Sequence, residues 1–98
     1  MNASVAIQVL PKVMEQEETR RIVDEVIAHL ASTGLHYVVG PFETTLEGDL
    51  EELLDIVKQC CRICVEAGAP SVMSYVKISY KPDGVWTIDD KTGKYQNR

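Results

Sequence analysis

Val5, Ile7 and Val9 alternate with Ser4, Ala6 and Gln8 near the start of the chain. A period of two separates an apolar face from a mixed one, and it predicts a β-strand over Ser4 to Leu10. Pro11 closes that run, since proline is tolerated at a strand end but not inside it. The period then changes. Ile22, Val23, Val26, Ile27 and Leu30 recur at three- and four-residue spacing, with Arg20, Arg21, Asp24 and Glu25 between them. That pattern predicts an amphipathic helix. Gln16-Glu17-Glu18 opens it with acids at the positive end of the helix dipole, and Gly34 suits the position just past its end.

Leu35 to Val39 is short and rich in β-branched and aromatic residues, as a strand should be. Gly40-Pro41 predicts a turn, with Phe42 to Glu47 returning as the hairpin partner. Gly48 breaks the strand, and Asp49 stands as N-cap with Glu52 three residues on, a variant of the capping box. Leu50, Leu53, Leu54, Val57, Cys61, Cys64 and Val65 trace a second helix that ends near Gly68, because Pro70 cannot continue it. Ser71 to Tyr80 reads as a longer strand, and Lys81-Pro82-Asp83-Gly84 as a turn. Val85 to Ile88 is expected to add a short strand, Thr87 or Asp89 to cap a last helical turn, and the polar tail from Thr92 to fray.

The order β-α-β-β-α-β predicts an α+β fold, the ferredoxin-like sandwich, with residues 1–98 as one domain. Its four-stranded antiparallel sheet carries both helices on one face. Alternation then sorts the residues. Val5, Ile7, Val9, Phe42, Leu46, Val76 and Ile78 point toward the helices. Gln8, Glu43, Thr45, Glu47, Met73, Tyr75 and Lys77 point to the open face. With the first strand between the third and fourth, Gln8 is expected beside both Thr45 and Tyr75. A two-residue turn at Gly40-Pro41 places His36 opposite Thr45, and a slip by one would put Tyr37 there.

The open face therefore mixes hydrogen-bonding groups with apolar ones. Covered by a second subunit, it would bury polar groups whose loss of partners costs roughly 1–3 kcal/mol each. A small polar ligand held at the face or between subunits would supply those partners, with Tyr75 as an aromatic surface. Gln8, His36, Thr45, Glu47 and Tyr75 form the candidate ligand-binding set.

Composition narrows the alternatives. Ninety-eight residues with a net charge of −5 and no clustered Lys or Arg argue against nucleic acid. No apolar run approaches the roughly 20 residues that span a bilayer, and Met1-Asn2-Ala3-Ser4 lacks the basic start of a signal peptide. A cytoplasmic location is expected. The three cysteines, Cys60, Cys61 and Cys64, lie on one predicted helix. They are a poor disulfide framework and an incomplete zinc set, so they read as small core hydrophobes. Catalysis is not expected: Glu43 and Glu47 flank Thr45 without a nucleophile or a base partner. The first strand is followed by Lys12 rather than a phosphate-cradling arginine.

Four pieces together resemble the thiamine-binding protein family of small ferredoxin-like domains. They are Val9-Leu10-Pro11, Gly34 through Pro41, Thr44-Thr45-Leu46-Glu47-Gly48-Asp49, and Tyr75 through Lys81. The likeness covers nearly all of the chain up to Lys81, and its most specific part pairs the Gly-Pro hairpin with Thr-x-Glu-Gly before an acidic helix. The resemblance implies homo-oligomers, dimers or tetramers assembled through their sheets. It also implies binding of thiamine or its hydroxymethylpyrimidine portion without turnover and without a cofactor, in salvage, buffering or delivery of vitamin B1. Carried onto this chain, Thr45 and Glu47 are the leading site candidates. A carboxylate suits an aminopyrimidine, and Gln8 adds a donor and an acceptor. Lys77 disfavours an intact thiazolium and favours a neutral pyrimidine. A regulatory or structural module whose open face serves only assembly is the alternative from another class.

Overall fold

The computed structural model describes residues 1–95. Strand β1 (Ala3–Pro11) leads through helix α1 (Gln16–Ser32) to the hairpin of β2 (Tyr37–Val39) and β3 (Thr44–Gly48). Helix α2 (Leu50–Glu66), β4 (Val72–Tyr80), a short helix α3 (Ile88–Thr92) and a 3-10 turn (Gly93–Tyr95) complete it. The sheet order is β2-β3-β1-β4, with every neighbouring pair antiparallel. This is the ferredoxin-like arrangement that the element order predicts.

The core lies between the sheet and the two long helices. Val5, Ile7 and Leu46 from the sheet meet Ile22, Val26 and Leu30 of α1 and Leu53, Ile56, Cys60 and Cys64 of α2. Removing each large side chain from water stabilises the fold by about 1.5–3 kcal/mol before entropy is counted. Both helices end where the sequence stops them. Gly34 takes φ +78° after α1 and Gly68 φ +117° after α2, a left-handed region open to glycine. At α2 the Gly68 and Ala69 amides donate back to the Val65 and Cys64 carbonyls, the paired bonds of a Schellman ending. Asp49 stands at the N-cap of α2 but makes no side-chain capping bond. Asn2 serves instead: its Oδ1 accepts from the Leu50 amide at 2.9 Å, tying the chain start to α2.

Five expectations require correction. Val76 and Ile78 lie on the helix-side face of β4, opposite Ile7 and Val5, but are 37% and 50% exposed and take no part in the core. The hairpin turn spans four residues, 40–43, because Val39 pairs with Thr44 and the Gly40 amide donates to the Glu43 carbonyl at 2.9 Å. A Cβ on Gly40 would lie 2.9 Å from that same oxygen, so the tight closure selects glycine. Phe42 consequently sits in the turn, 79% exposed, and takes no part in the core. On α2 the sheet-facing stripe is Leu53, Ile56, Cys60 and Cys64, while Leu54 and Val65 are exposed and Cys61 is half-buried. Apolar residues fill more than one stripe of that helix, and packing chooses the one through Leu53, Ile56, Cys60 and Cys64. Finally, Val85 to Ile88 forms no strand. Thr87 caps α3, accepting from the Asp90 amide, while the Asp90 carboxylate accepts from the Thr87 amide. The polar tail expected from Thr92 begins inside α3 and continues through the 3-10 turn, and its last three positions, 96–98, lie outside the described residues.

Candidate functional site

Cross-strand pairing arranges the open face in rows. Val38, Thr45, Ala6 and Lys77 form one row across β2, β3, β1 and β4. Glu47, Ser4 and Ser79 form the next, and Gln8 with Tyr75 and Leu10 with Met73 lie on the other side. Directly opposed residues stand about 4.5–5.5 Å apart at Cβ, so the small Ala6 and Ser4 leave a depression between taller neighbours. The cavity there measures about 360 Å³ and is lined by Ser4, Ala6, Val38, Thr45, Lys77 and Ser79 from the sheet region, together with Glu43. Its remaining wall is α3, through Ile88, Lys91 and Thr92. Small-molecule sites typically enclose roughly 300–1,000 Å³.

Two polar contacts fix the walls. Lys77 Nζ and Glu43 Oε2 lie 3.0 Å apart and span β1, linking the hairpin to β4. At the other end Glu47 Oε2 accepts from the Ile88 amide at 2.8 Å. That amide belongs to the first turn of α3, which has no intrahelical partner for it. Ile88 itself is buried, although it stands outside the main core cluster. Thus α3 is seated on the sheet by one apolar side chain and one charged acceptor.

The candidate residues divide under this geometry. Thr45 lines the cavity and is half-buried. Glu47 neighbours it and holds α3 in place. Gln8 opposes Tyr75 as expected but not Thr45, whose partner on β1 is Ala6. Opposite Thr45 on β2 stands Val38, neither His36 nor Tyr37. The four-residue turn moves the register by two, which keeps each side chain on its face while changing its partner. His36 is exposed, and its carbonyl accepts from the Glu47 amide at 3.3 Å. Tyr75 is exposed as well, outside the cavity lining. Alternation had put Glu43 and Lys77 on the open face, yet their role as walls went unread. The smallness of Ala6 and Ser4 was the available signal for a hollow. No periodicity announced α3, because five residues are too few to show one.

A second crevice, about 210 Å³, lies between α1 and the hairpin, where Val23, Val26, Ile27 and Phe42 give it apolar walls and Gln8 borders it. Glu43 and Thr44 also border it, but no cation lines it, whereas the open-face cavity has Lys77 and Lys91. Cys60 and Cys64 are core residues, as expected, while Cys61 is half-buried with its sulfur 3.4 Å from the Ser74 hydroxyl. Burial pushes the Cys60 thiol up to about 12 and raises Cys64 as well, so both are neutral thiols at pH 7. Among the described residues no three His, Cys, Asp or Glu side chains converge as a metal would require, and no helix is long and apolar enough to cross a membrane.

The profile of the thiamine-binding protein family matches residues 5–96. The chain belongs to that family. A UPF0045 protein of Clostridium perfringens is 50% identical to it over 93 residues, covering 95% of this chain and 96% of the relative. Among solved structures, a domain of unknown function from Bacillus cereus, DUF77, superposes with a TM-score of 0.87 at 39% identity, over 98% of this chain and 91% of that one. A candidate thiamine biosynthesis/salvage protein of Thermotoga maritima superposes at 0.86 with 36% identity, over 98% and 100% of the two chains.

Proposed function

We propose that this family member is a non-catalytic, cytoplasmic binder of thiamine or of a thiamine-related pyrimidine such as hydroxymethylpyrimidine, acting in vitamin B1 salvage, buffering or delivery. The observation that carries this reading is the open-face cavity bordered by Thr45 and walled by α3. Val38, Ala6 and Ile88 offer apolar contact to a flat ring, and the Thr45 hydroxyl offers a donor and an acceptor. The Glu47 carboxylate stands next to the lining rather than in it; although bonded to the Ile88 amide, it keeps lone pairs for the exocyclic amine of an aminopyrimidine that reaches past Thr45. Gln8, His36 and Tyr75 are outer candidates, reached only by a ligand that extends along the face or by a second subunit.

Calorimetric titration with thiamine and with hydroxymethylpyrimidine tests the proposal. Binding of at least one is expected, and no heat from either at tens of micromolar protein would sink it. Glu47→Gln is expected to weaken binding by about 1–3 kcal/mol.

The same reading includes self-association into dimers or tetramers. Strand β4 is an edge of nine residues with exposed apolar side chains on both faces: Met73 and Tyr75 on one, Val76, Ile78 and Tyr80 on the other. An edge that long and apolar invites pairing with another chain. Light scattering is expected to give a multiple of the 10.9 kDa chain mass. Ile78→Asp should lower that mass, and a monomeric wild-type chain would remove this part of the reading.

A further inference from the structure

The charges around the open-face cavity do not follow those of the chain. The whole sequence carries a net −5, yet the side chains lining the cavity include two cations, Lys77 and Lys91, and one acid, Glu43. Glu43 is already engaged with Lys77. Glu47 on β3 is bonded to the Ile88 amide, and neither it nor Asp89 or Asp90 of α3 lines the cavity. Lys91 makes no ion pair with another described residue. Among the described residues one positive charge of the lining is therefore left without an ion-pair partner, and it rides on α3, the element that closes the hollow.

We infer that the ligand of this cavity is an anionic, phosphorylated form of the aminopyrimidine, with its phosphate held by Lys91 and Lys77. This rests on the pyrimidine reading above and names the class of ligand within it. Three features favour a phosphate ester. An unmatched cation repels a bare thiazolium and attracts an anion. Lysine is a compact point charge with three donors, able to reach more than one oxygen of a tetrahedral phosphate. The described arginines, Arg20, Arg21 and Arg62, all stand on α1 and α2, away from the open face. Lys77 can serve the phosphate without leaving Glu43, since its ammonium offers three hydrogens. Its exposed position makes the existing pair weak enough to be shared.

The test is titration of the full chain with hydroxymethylpyrimidine, its phosphate monoester, thiamine, thiamine monophosphate and inorganic phosphate. The monoesters are expected to bind at least about tenfold tighter than their parent alcohols, and whichever monoester is tighter identifies the source of the shared phosphate group. That advantage should shrink when sodium chloride rises from about 50 mM to about 500 mM, as contact between charges is screened. It should fall to within about twofold in Lys91→Met, and again in Lys77→Met. Equal affinity for alcohol and ester in the wild-type chain overturns the inference while leaving the pyrimidine reading intact. So does a preference that survives in the double variant, or inorganic phosphate binding as tightly as the esters. Absence of binding by all the pyrimidines is the separate result that removes the reading itself.

Discussion

On the face of the sheet that meets α1 and α2, Val5 and Leu46 are almost wholly excluded from water, while on the reverse face Ala6, Thr45 and Glu47 remain half-exposed. The two sets alternate along the same strands, so the difference arises from what covers them. Two seventeen-residue helices cover the first face with a continuous apolar stripe each. One five-residue helix covers part of the second, seated by Ile88 and by the bond from its amide to Glu47. Over β1 and β3 the first face is closed and gains stability from area, while its margin on β4 stays exposed at Val76 and Ile78. The second is left partly open, and its polar groups are available.

If that contrast is right, equal truncations on the two faces should have unequal costs. Leu46→Ala is expected to destabilise the fold by about 2–5 kcal/mol, the usual cost of a buried leucine cavity. Its neighbour Thr45→Ala should cost less than about 1 kcal/mol. Urea unfolding of both variants measures this, and similar midpoints would erase the distinction. On the open face the largest effect is expected at Glu47. Glu47→Ala removes a charged acceptor and strands the Ile88 amide, which should weaken the seating of α3 by about 1.5–3 kcal/mol. Amide exchange would report it as faster exchange across residues 88–92, with the core amides of β1 unaltered. Uniformly faster exchange would instead make α3 part of the main cooperative unit.

The covered face can also be separated from the open one by pH. The Cys60 thiol ordinarily titrates at 9.0 and is raised by burial to about 12, while nothing comparable lies under α3. An acid whose folded value is raised stabilises the fold fully below its unfolded value, and that contribution is lost as pH climbs from 9.0 toward about 12. By pH 10 the loss from this group alone should be on the order of 1 kcal/mol. Comparing wild type with Cys60→Ala between neutral pH and pH 10 isolates it from the tyrosines. The variant, weaker at neutral pH for want of the sulfur, should show the shallower alkaline decline. Parallel declines would mean the thiol is not closed from water.

The covered face was largely legible in the sequence, and the open face only in part, for a physical reason. Period two in Val5, Ile7 and Val9 and period near 3.6 in Ile22, Val26 and Leu30 report burial against a continuous partner. They gave the fold, and the family resemblance agreed with it. Register depends instead on the length of one turn. Gly40-Pro41 suggests a two-residue turn, but the close approach of Gly40 to Glu43 adds two residues, so Val38 opposes Thr45 in place of His36. The pairing of Ala6 with Thr45 on β1 is a separate register that no tight turn sets. On α2 the apolar residues were too numerous to show which stripe faced inward. The last wall of the cavity was least legible, since α3 is held by single contacts made over long sequence separations, such as Glu47 with Ile88.

The smallest expected effect asks whether α3 is a helix in its own right or only a segment pinned by Glu47. Its capping box is internal: the Thr87 hydroxyl accepts from the Asp90 amide at 2.9 Å, and the Asp90 carboxylate accepts from the Thr87 amide at 2.9 Å. Thr87→Ala removes the first of these and leaves the bond from Ile88 to Glu47 untouched, with an expected cost of about 1 kcal/mol confined to the segment. A helix this short gains little from propagation, so its caps and its seat should be coupled. The double variant with Glu47→Ala should therefore lose less than the sum of the two single losses, because a segment already released has no cap left to lose. Strict additivity in amide exchange would mean that α3 stays helical when unseated, and that the cavity wall is preformed rather than assembled on the sheet.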